Sequence, residues 1–228
     1  MNRFEPWLQD IRAKPEEWLA PVIRSGEADL ALELIRDNRH LLDVRFSGNT
    51  TPLMEAAFSG QPDIADRLLA IGAKLDFITA IALGRTGAVR VMLAENPGLV
   101  RKHSPDGWSA LHIAARYGDT ELLTLLVSAG ADVNDNLNKS GLTPLFFATR
   151  EPYSNAELLL AKGADVDARG KHGFTALHCA AMAGNLSFVV FLLAHGARDD
   201  LQTDARQTAW AIAVRQGHRN VAAFLNHR

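Results

Sequence analysis

The residues of this chain best suited to chemistry lie together in the segment HGFTALHC, which contains His172, His178 and Cys179. An imidazole beside a thiol can bind a metal ion or activate the sulfur as a nucleophile. The spacing matches no recognised zinc motif, and Cys179 falls within an Ala-rich predicted helix, where a cysteine is usually small, buried and inert. The glycines are dispersed along the chain, which is unlike a phosphate-binding loop. We therefore predict that the protein is not an enzyme and has no metal site and no cofactor.

The elements that would position these residues are repeated along the chain. A Gly-Ala pair closes an apolar run at Gly72, Gly130, Gly163 and Gly196, and the last three pairs are 33 residues apart (130 to 163 and 163 to 196). A second series consists of variants of one phrase: TPLMEAA from Thr51, SALHIAA from Ser109, TPLFFAT from Thr143, TALHCAA from Thr175 and TAWAIAV from Thr208. A fixed period of this length is typical of a stacked repeat array.

These phrases and the Gly-Ala endings resemble the ankyrin-repeat family over roughly residues 17 to 228. The resemblance implies an all-α fold: a solenoid of stacked helix-turn-helix units with short β-hairpin-like fingers and terminal capping repeats. It also implies that His112 and His178, at the TPLH position, form hydrogen bonds between neighbouring turns. The shortened segment that ends in Asn-Pro-Gly-Leu-Val is similar to bacterial members of the family.

The repeat pattern predicts one elongated domain. Its segments are an N-terminal helical segment with a capping repeat that lacks a finger (1–47), an ankyrin repeat (48–76), a shortened repeat (77–104), a repeat (105–137), a repeat with a one-residue deletion (138–169), a repeat (170–203) and a C-terminal capping repeat (204–228). The shortened repeat lacks the turn and the Thr-Pro pair, so we expect its finger to be missing or short. Residues 1–15, with Phe4 and Ile11, are expected to cover the N-terminal end as a cap, and a docking arm is the alternative.

Each full repeat has recognisable start and stop signals, which are best preserved between Asp106 and Asn134. Asp106-Gly107 predicts a tight turn, and Ser109 stands where a helix N-cap belongs. In the repeats that carry Thr-Pro, the proline takes the first helical position, where no amide partner is lost. Gly130 is placed to end the second helix in the left-handed conformation.

Composition indicates an ordinary globular chain, with 228 residues, 47% hydrophobic and 22% charged. The net charge of −2 gives no bulk attraction to nucleic acid or to an anionic membrane. The single cysteine cannot form an internal disulfide, which is typical of a reduced, intracellular protein. Because no apolar run approaches the ~18 residues of a spanning helix, we predict no membrane association and a cytoplasmic location.

The resemblance implies that binding residues occupy the finger tips, the position between the turn glycine and the threonine, and the end of the first helix of each repeat. The residues at these positions are Phe58, Trp108, Arg116, Tyr117, Leu142, Arg150, Lys171, His172, Phe174, Met182, Arg206 and Arg215. Together they predict an aromatic stripe rimmed by positive charge on a concave face, with the residue types that are enriched in binding hot spots. The alternative is that Trp108 and Phe174 pack on adjacent fingers and that the arginines are solvated surface.

The leading functional prediction is a protein-interaction module that inhibits, tethers or adapts an unidentified partner protein with an acidic epitope. Recognition of nucleic acid or another polyanion by the same arginine and lysine residues is the alternative, which the acidic net charge disfavours. A hydrolase or metal-dependent enzyme that relies on His172 or Cys179 is the least favoured. Self-association is also possible through the second helices, where Val190 takes a position that is usually polar.

Overall fold

The computed structural model describes residues 4–104 and 106–226. The regular elements in these ranges are helical, and the β-contact between them is an isolated antiparallel bridge from His103 to Ser109. The expectation of an all-α repeat fold is therefore confirmed. The chain divides into two compact units, residues 1–89 and residues 90–228.

The first unit is built from short paired helices. These are α1 (Leu8–Ala13), α2 (Pro15–Arg24), α3 (Ala28–Asp37), α4 (Pro52–Phe58), α5 (Pro62–Ala70) and α6 (Phe77–Ala82), with 3-10 turns at Glu5–Trp7 and Arg39–Asp43. The start of α4 shows the predicted signal, since the Thr51 hydroxyl accepts a hydrogen bond from the Met54 amide (3.2 Å) and Pro52 takes the first helical position. The boundary with the second unit falls within α7 (Thr86–Glu95).

The N-terminal segment packs on the helices that follow it. Phe4 and Ile11 are both buried, in one hydrophobic cluster with Leu19, Ile23 and Ile35 of α2 and α3. This burial favours the cap interpretation of the segment over a docking arm. Residues 1–3 lie outside the described residues.

The shortened repeat begins without a long finger. Helix α6 starts at Phe77, directly after its N-cap Asp76, whose carboxylate accepts a hydrogen bond from the Thr79 amide (2.9 Å). The segment between Gly72 and this helix is therefore limited to residues 73–76. Helix α7 is followed by a 3-10 turn at Pro97–Arg101, in the place where other repeats have Gly-Ala.

The second unit continues the alternation of paired helices and fingers. Its elements are α8 (Ala110–Tyr117), α9 (Thr120–Ser128), a 3-10 turn (Pro144–Phe147), α10 (Ser154–Ala161), a 3-10 turn (Lys171–Gly173), α11 (Ala176–Met182), α12 (Leu186–Ala194), α13 (Ala209–Gln216) and α14 (Arg219–Asn226). The inward positions of these helices are fully buried, with Leu111, Leu123 and Phe188 among the largest. Gly130 follows α9 with a φ of +93°, in agreement with the predicted left-handed stop.

The repeat at 138–169 differs from its neighbours. Its first helix is reduced to the 3-10 turn Pro144–Phe147, although it begins with the same Thr-Pro signal. A residue is missing from this repeat and Pro152 takes the place of the inter-helix glycine, which disfavours a helical conformation at the residue before it. The shared phrase therefore predicted the start of this helix and not its length.

The fingers are tight turns, and several of them are closed by a backbone hydrogen bond across four residues. The Ser104 amide donates to the Trp108 carbonyl (2.8 Å), and the Gly170 amide donates to the Phe174 carbonyl (2.8 Å). Neighbouring fingers are also joined, because the Lys171 amide donates to the Ser140 carbonyl (2.8 Å). These bonds fix where the finger side chains stand relative to the helices behind them.

Candidate functional site

Trp108 is the centre of an aromatic cluster in the second unit. It is half-buried, and its ring packs edge-on against His112 (5.5 Å between centroids) and Phe147 (5.0 Å). His112 and Phe147 also contact each other, at 5.8 Å. Phe147 lies in the next repeat, so the cluster joins two repeats. Part of the Trp108 ring is therefore buried by packing between repeats, and these ring contacts are with helical residues and not with an adjacent finger as the alternative had it.

His112 holds this cluster in place through both ring nitrogens. Its Nδ1 accepts a hydrogen bond from the Ser109 amide (3.2 Å), and its Nε2 donates to the Leu142 carbonyl in the following repeat (2.7 Å). One nitrogen accepts and the other donates, which is the pattern of a neutral imidazole. Burial lowers the pKa of His112 and favours that neutral form.

His178 repeats the same arrangement further along the unit. Its Nδ1 accepts from the Thr175 amide (3.1 Å), and its Nε2 lies 3.1 Å from the carbonyls of Leu201 and Gln207. Burial again lowers the pKa of the imidazole. Phe174 packs edge-on against this ring at 5.9 Å. The expectation that the two TPLH histidines form hydrogen bonds between neighbouring turns is confirmed.

The candidate chemical residues are dispersed. Cys179 is half-buried, and burial raises the pKa of its thiol to about 11, which disfavours the reactive thiolate. His178 is engaged in the inter-turn bonds, and His172 is exposed at a finger tip with a φ of 60°. Among residues 4–104 and 106–226, no three His, Cys, Asp or Glu side chains are grouped as a metal site would require.

The predicted cationic residues all lie on the surface. Arg116 is exposed at the end of α8, with its guanidinium 5.3 Å from the centre of the half-buried Tyr117 ring. Arg150 is exposed after the 3-10 turn, and Lys171 and Arg206 are exposed on fingers. Arg215 is also exposed and donates to the Gln207 side-chain carbonyl (2.9 Å).

Within the described ranges, no carboxylate lies within 4.0 Å of any of these five cations, and the same holds for Arg101, Lys102, Lys162 and Arg219 of this unit. Arg90, Arg169 and Arg198 of the same unit each have an acidic partner. A guanidinium without an internal partner keeps its paired N–H donors available for a carboxylate on another molecule. The arrangement can therefore bind acidic groups.

The remaining predicted residues are less exposed or lie apart. Met182 is 41% exposed at the end of α11. Leu142 is half-buried, and its side chain lies against Gly170, where an added Cβ would come within 2.6 Å of it. Phe58 belongs to the first unit and is half-buried at the end of α4. We define the finger surface as the predicted residues of the second unit: Trp108, Arg116, Tyr117, Leu142, Arg150, Lys171, His172, Phe174, Met182, Arg206 and Arg215.

Among the described residues of the second unit, four exposed apolar residues were not singled out from the sequence, one of which is Val91 of α7, 58% exposed. Leu137 is 75% exposed in a finger, and Trp210 and Val214 of α13 are 42% and 52% exposed. The signal for the last two was present in the sequence, because TAWAIAV has Trp and Val where SALHIAA and TALHCAA have Leu and Ala. No comparable pattern distinguished Leu137.

No helix among the described residues combines the length and the apolar character that crossing a bilayer would take. A family model described as "Ankyrin repeats (3 copies)" matches residues 77–170 and 156–228, and one described as "Ankyrin repeat" matches residues 48–80.

Several curated proteins are similar to this chain. It is 30% identical to the B-cell lymphoma 3 protein homolog of Mus musculus over 200 residues, which are 80% of this chain and 44% of the relative. It is 29% identical over 231 residues to the "Transient receptor potential cation channel subfamily A member 1 homolog" of Caenorhabditis elegans, covering 96% of this chain and 19% of the relative. It is 32% identical over 153 residues to an intracellular phospholipase A2 of that organism, covering 62% and 14% respectively. The chain thus spans less than half the length of each.

Proposed function

Because this chain belongs to the ankyrin-repeat family, whose members generally bind other proteins, we propose that it is a non-catalytic module that binds a partner protein through the finger surface. In this role it would inhibit, tether or adapt that partner. The observation that carries the proposal is the set of exposed arginine and lysine side chains of the finger surface that have no carboxylate within 4.0 Å among the described residues, together with the ordered aromatic side chains of the same surface. Such side chains are suited to an acidic epitope.

In this proposal the cationic residues orient the partner, and the aromatic residues provide a rigid contact surface. Trp108 and Phe174 are held by the hydrogen-bonded rings of His112 and His178, so their exposed edges are presented in one fixed position. A surface that is already ordered loses little side-chain entropy on binding. Met182 adds an exposed, adaptable apolar contact. A partner would then combine carboxylates with an apolar residue that contacts these side chains.

The absence of catalysis is part of the proposal. The raised pKa of Cys179 and the use of His178 as a structural link both disfavour a thiol nucleophile. The likeness to a phospholipase covers only 14% of that relative, so its activity does not carry over to this chain. The single cysteine suits a reducing compartment, and we propose that the protein acts in the cytoplasm.

The test uses charge reversal, which leaves the packed aromatic residues in place. Wild-type protein and the variant Arg116→Glu/Arg150→Glu are used to capture binding proteins from a cell extract, and the affinity of any captured protein is then measured with purified components. We expect binding to weaken at least about tenfold, which corresponds to about 1.4 kcal/mol. The matched control is Lys102→Glu/Lys162→Glu, which reverses two exposed lysines of the same unit outside the finger surface.

Each outcome distinguishes the candidates. Selective loss in the Arg116/Arg150 variant supports the finger surface, whereas unchanged binding in that variant refutes it. Equal loss in both variants indicates a response to net charge alone. A titration with single-stranded oligonucleotide tests the polyanion alternative, because phosphate binding would fall steeply as salt is raised.

A further inference from the structure

Helix α13 exposes apolar side chains at positions that other repeats bury. In α8 and α11 the residues at these two positions, one helical turn apart, are at most 1% exposed: Leu111 and Ala115, and Leu177 and Ala181. The same positions in α13 hold Trp210, which is 42% exposed, and Val214, which is 52% exposed. The two side chains lie on one helix face, since residues four apart are neighbours on a helix.

The adjoining helix α14 has less apolar residues than α12 at two equivalent positions. Ala222 and Asn226 stand where α12 has Val189 and Leu193, so small or polar residues replace apolar ones. Small and polar residues at these positions are typical of a capping repeat. Helix α13 makes no such change, because it places a tryptophan where the repeats have leucine. The apolar pair is therefore a specific feature of this end and is suited to contact.

The charge around this face selects the kind of occupant. Residues 205–226 contain Arg206, Arg215 and Arg219 and no Asp or Glu. All three arginines are exposed, and none has a carboxylate within 4.0 Å among the described residues. An occupant that offers an apolar anchor surrounded by carboxylates would be attracted, and one with basic residues would be repelled.

The N-terminal helices of the same chain have this chemistry. Trp7 is 56% exposed and stacks on Trp18 with 6.2 Å between ring centroids. Exposed carboxylates surround it in sequence, at Asp10, Glu16 and Glu17. Residues 4–37 contain eight Asp or Glu and four Arg or Lys, a net charge of −4. One end of the chain is thus acidic with an exposed tryptophan, and the other is basic with an exposed tryptophan.

We propose that the α13 face, defined as Trp210, Val214, Arg215 and Arg219, binds the α1–α2 end of a second copy of this chain, around Trp7 and Glu17. The contact is head to tail, because pairing two α13 faces would bring arginines together and pairing two N-terminal ends would bring carboxylates together. A contact between two different surfaces leaves one free surface at each end of a pair, so further copies can add and form rings or open chains as the concentration rises. Arg215 belongs to both this face and the finger surface, whereas Trp210, Val214 and Arg219 lie outside the finger surface, so the test below changes only residues that the finger surface does not contain.

Two variants, each blocked at one end, test the proposal by analytical ultracentrifugation. Trp210→Gln/Arg219→Glu blocks the α13 face, and Trp7→Gln/Glu17→Lys blocks the N-terminal end. The wild type is expected to increase in average mass beyond a dimer from micromolar to near-millimolar concentration. Each variant alone is expected to stay monomeric over this range, because its one intact end has no complementary end to bind. An equimolar mixture of the two is expected to form a one-to-one dimer and nothing larger, because one intact end remains on each.

Three results would contradict the proposed head-to-tail contact. A wild type that stays monomeric overturns the proposal. A mixture that stays monomeric overturns it too, and so does a dimer formed by either variant alone, since that would show like ends pairing.

The matched control is Val190→Gln, which removes an exposed valine (41%) from α12. This variant is expected to associate like the wild type, and its failure to do so would assign self-association to the second helices. Circular dichroism spectra identify any variant that is misfolded, and single substitutions Trp210→Gln and Trp7→Gln then replace the double variants.

Discussion

The inter-repeat bonds of His112 allow a quantitative prediction for the variant His112→Ala. The change removes an acceptor for the buried Ser109 amide and a donor to the Leu142 carbonyl, each worth about 1 kcal/mol net. It also removes ring packing against Trp108 and Phe147, worth about 1 kcal/mol more. We therefore expect the free energy of unfolding to fall by about 3 kcal/mol, using the sum of these typical values.

Urea denaturation followed by circular dichroism measures this change, provided that the denaturant slope stays the same as in the wild type. The control is His40→Ala, which removes an exposed imidazole whose partner is Glu16 at 3.1 Å. An exposed pair of this kind is worth less than about 1 kcal/mol. If His112→Ala also costs less than about 1 kcal/mol, the interpretation of His112 as a link between repeats is wrong.

Further expectations follow from the titrating and conformational features of the second unit. Burial lowers the pKa of His178 in the folded state, so the unfolded chain binds the proton first as the pH falls. The contribution of His178 to stability is therefore full above about pH 6.5 and is lost as the pH is lowered through that value. We expect His178→Ala to flatten this pH dependence in urea midpoints measured from about pH 5 to pH 8. An unchanged slope in the variant would contradict this. Cys179, with a pKa raised to about 11, is expected to react with iodoacetamide about a hundredfold more slowly than free cysteine at pH 8, and a comparable rate would contradict its assignment as inert. Gly107→Ala and Gly130→Ala both place a side chain at positive φ (+84° and +93°), but only at Gly107 would the Cβ meet backbone, 2.9 Å from the Asn138 Cα. Thermal unfolding is expected to show a loss of about 1 kcal/mol at Gly130 and clearly more at Gly107, and equal losses would show that the finger can move aside.

The repeat architecture could be predicted from sequence because its signals are local. Thr51-Pro52 predicts a helix start that needs only its own neighbours, and Gly130 predicts a stop in the same way. The TPLH histidines were also predictable, since their partners lie at a fixed distance along a repeating chain. These helix starts, helix stops and histidine links are therefore expected in any stack of such repeats.

The candidate surface was harder to predict because it depends on contacts between repeats. Trp108 was expected in an aromatic stripe, and the structure also packs it against Phe147, a residue that the repeat register did not single out. Trp210 was overlooked because its sequence phrase is that of a buried helix. The structure nevertheless leaves it 42% exposed. The pairing of Arg169 with Asp204, in contrast to the unpaired Arg150, likewise could not be read from residue types.

The histidine links also bear on how the second unit folds. They connect the repeat at 105–137 to the next through His112, and the repeat at 170–203 to the next through His178. Between them, Phe146 takes the histidine position, and its side chain cannot form a hydrogen bond to the following finger. We therefore expect the unfolding of neighbouring repeats to be less strongly coupled at the repeat 138–169, where this link is missing. We expect residues 170–226 to open and close as one foldon, whose amides exchange with solvent together, while the repeat with the 3-10 turn separates it from the helices before it.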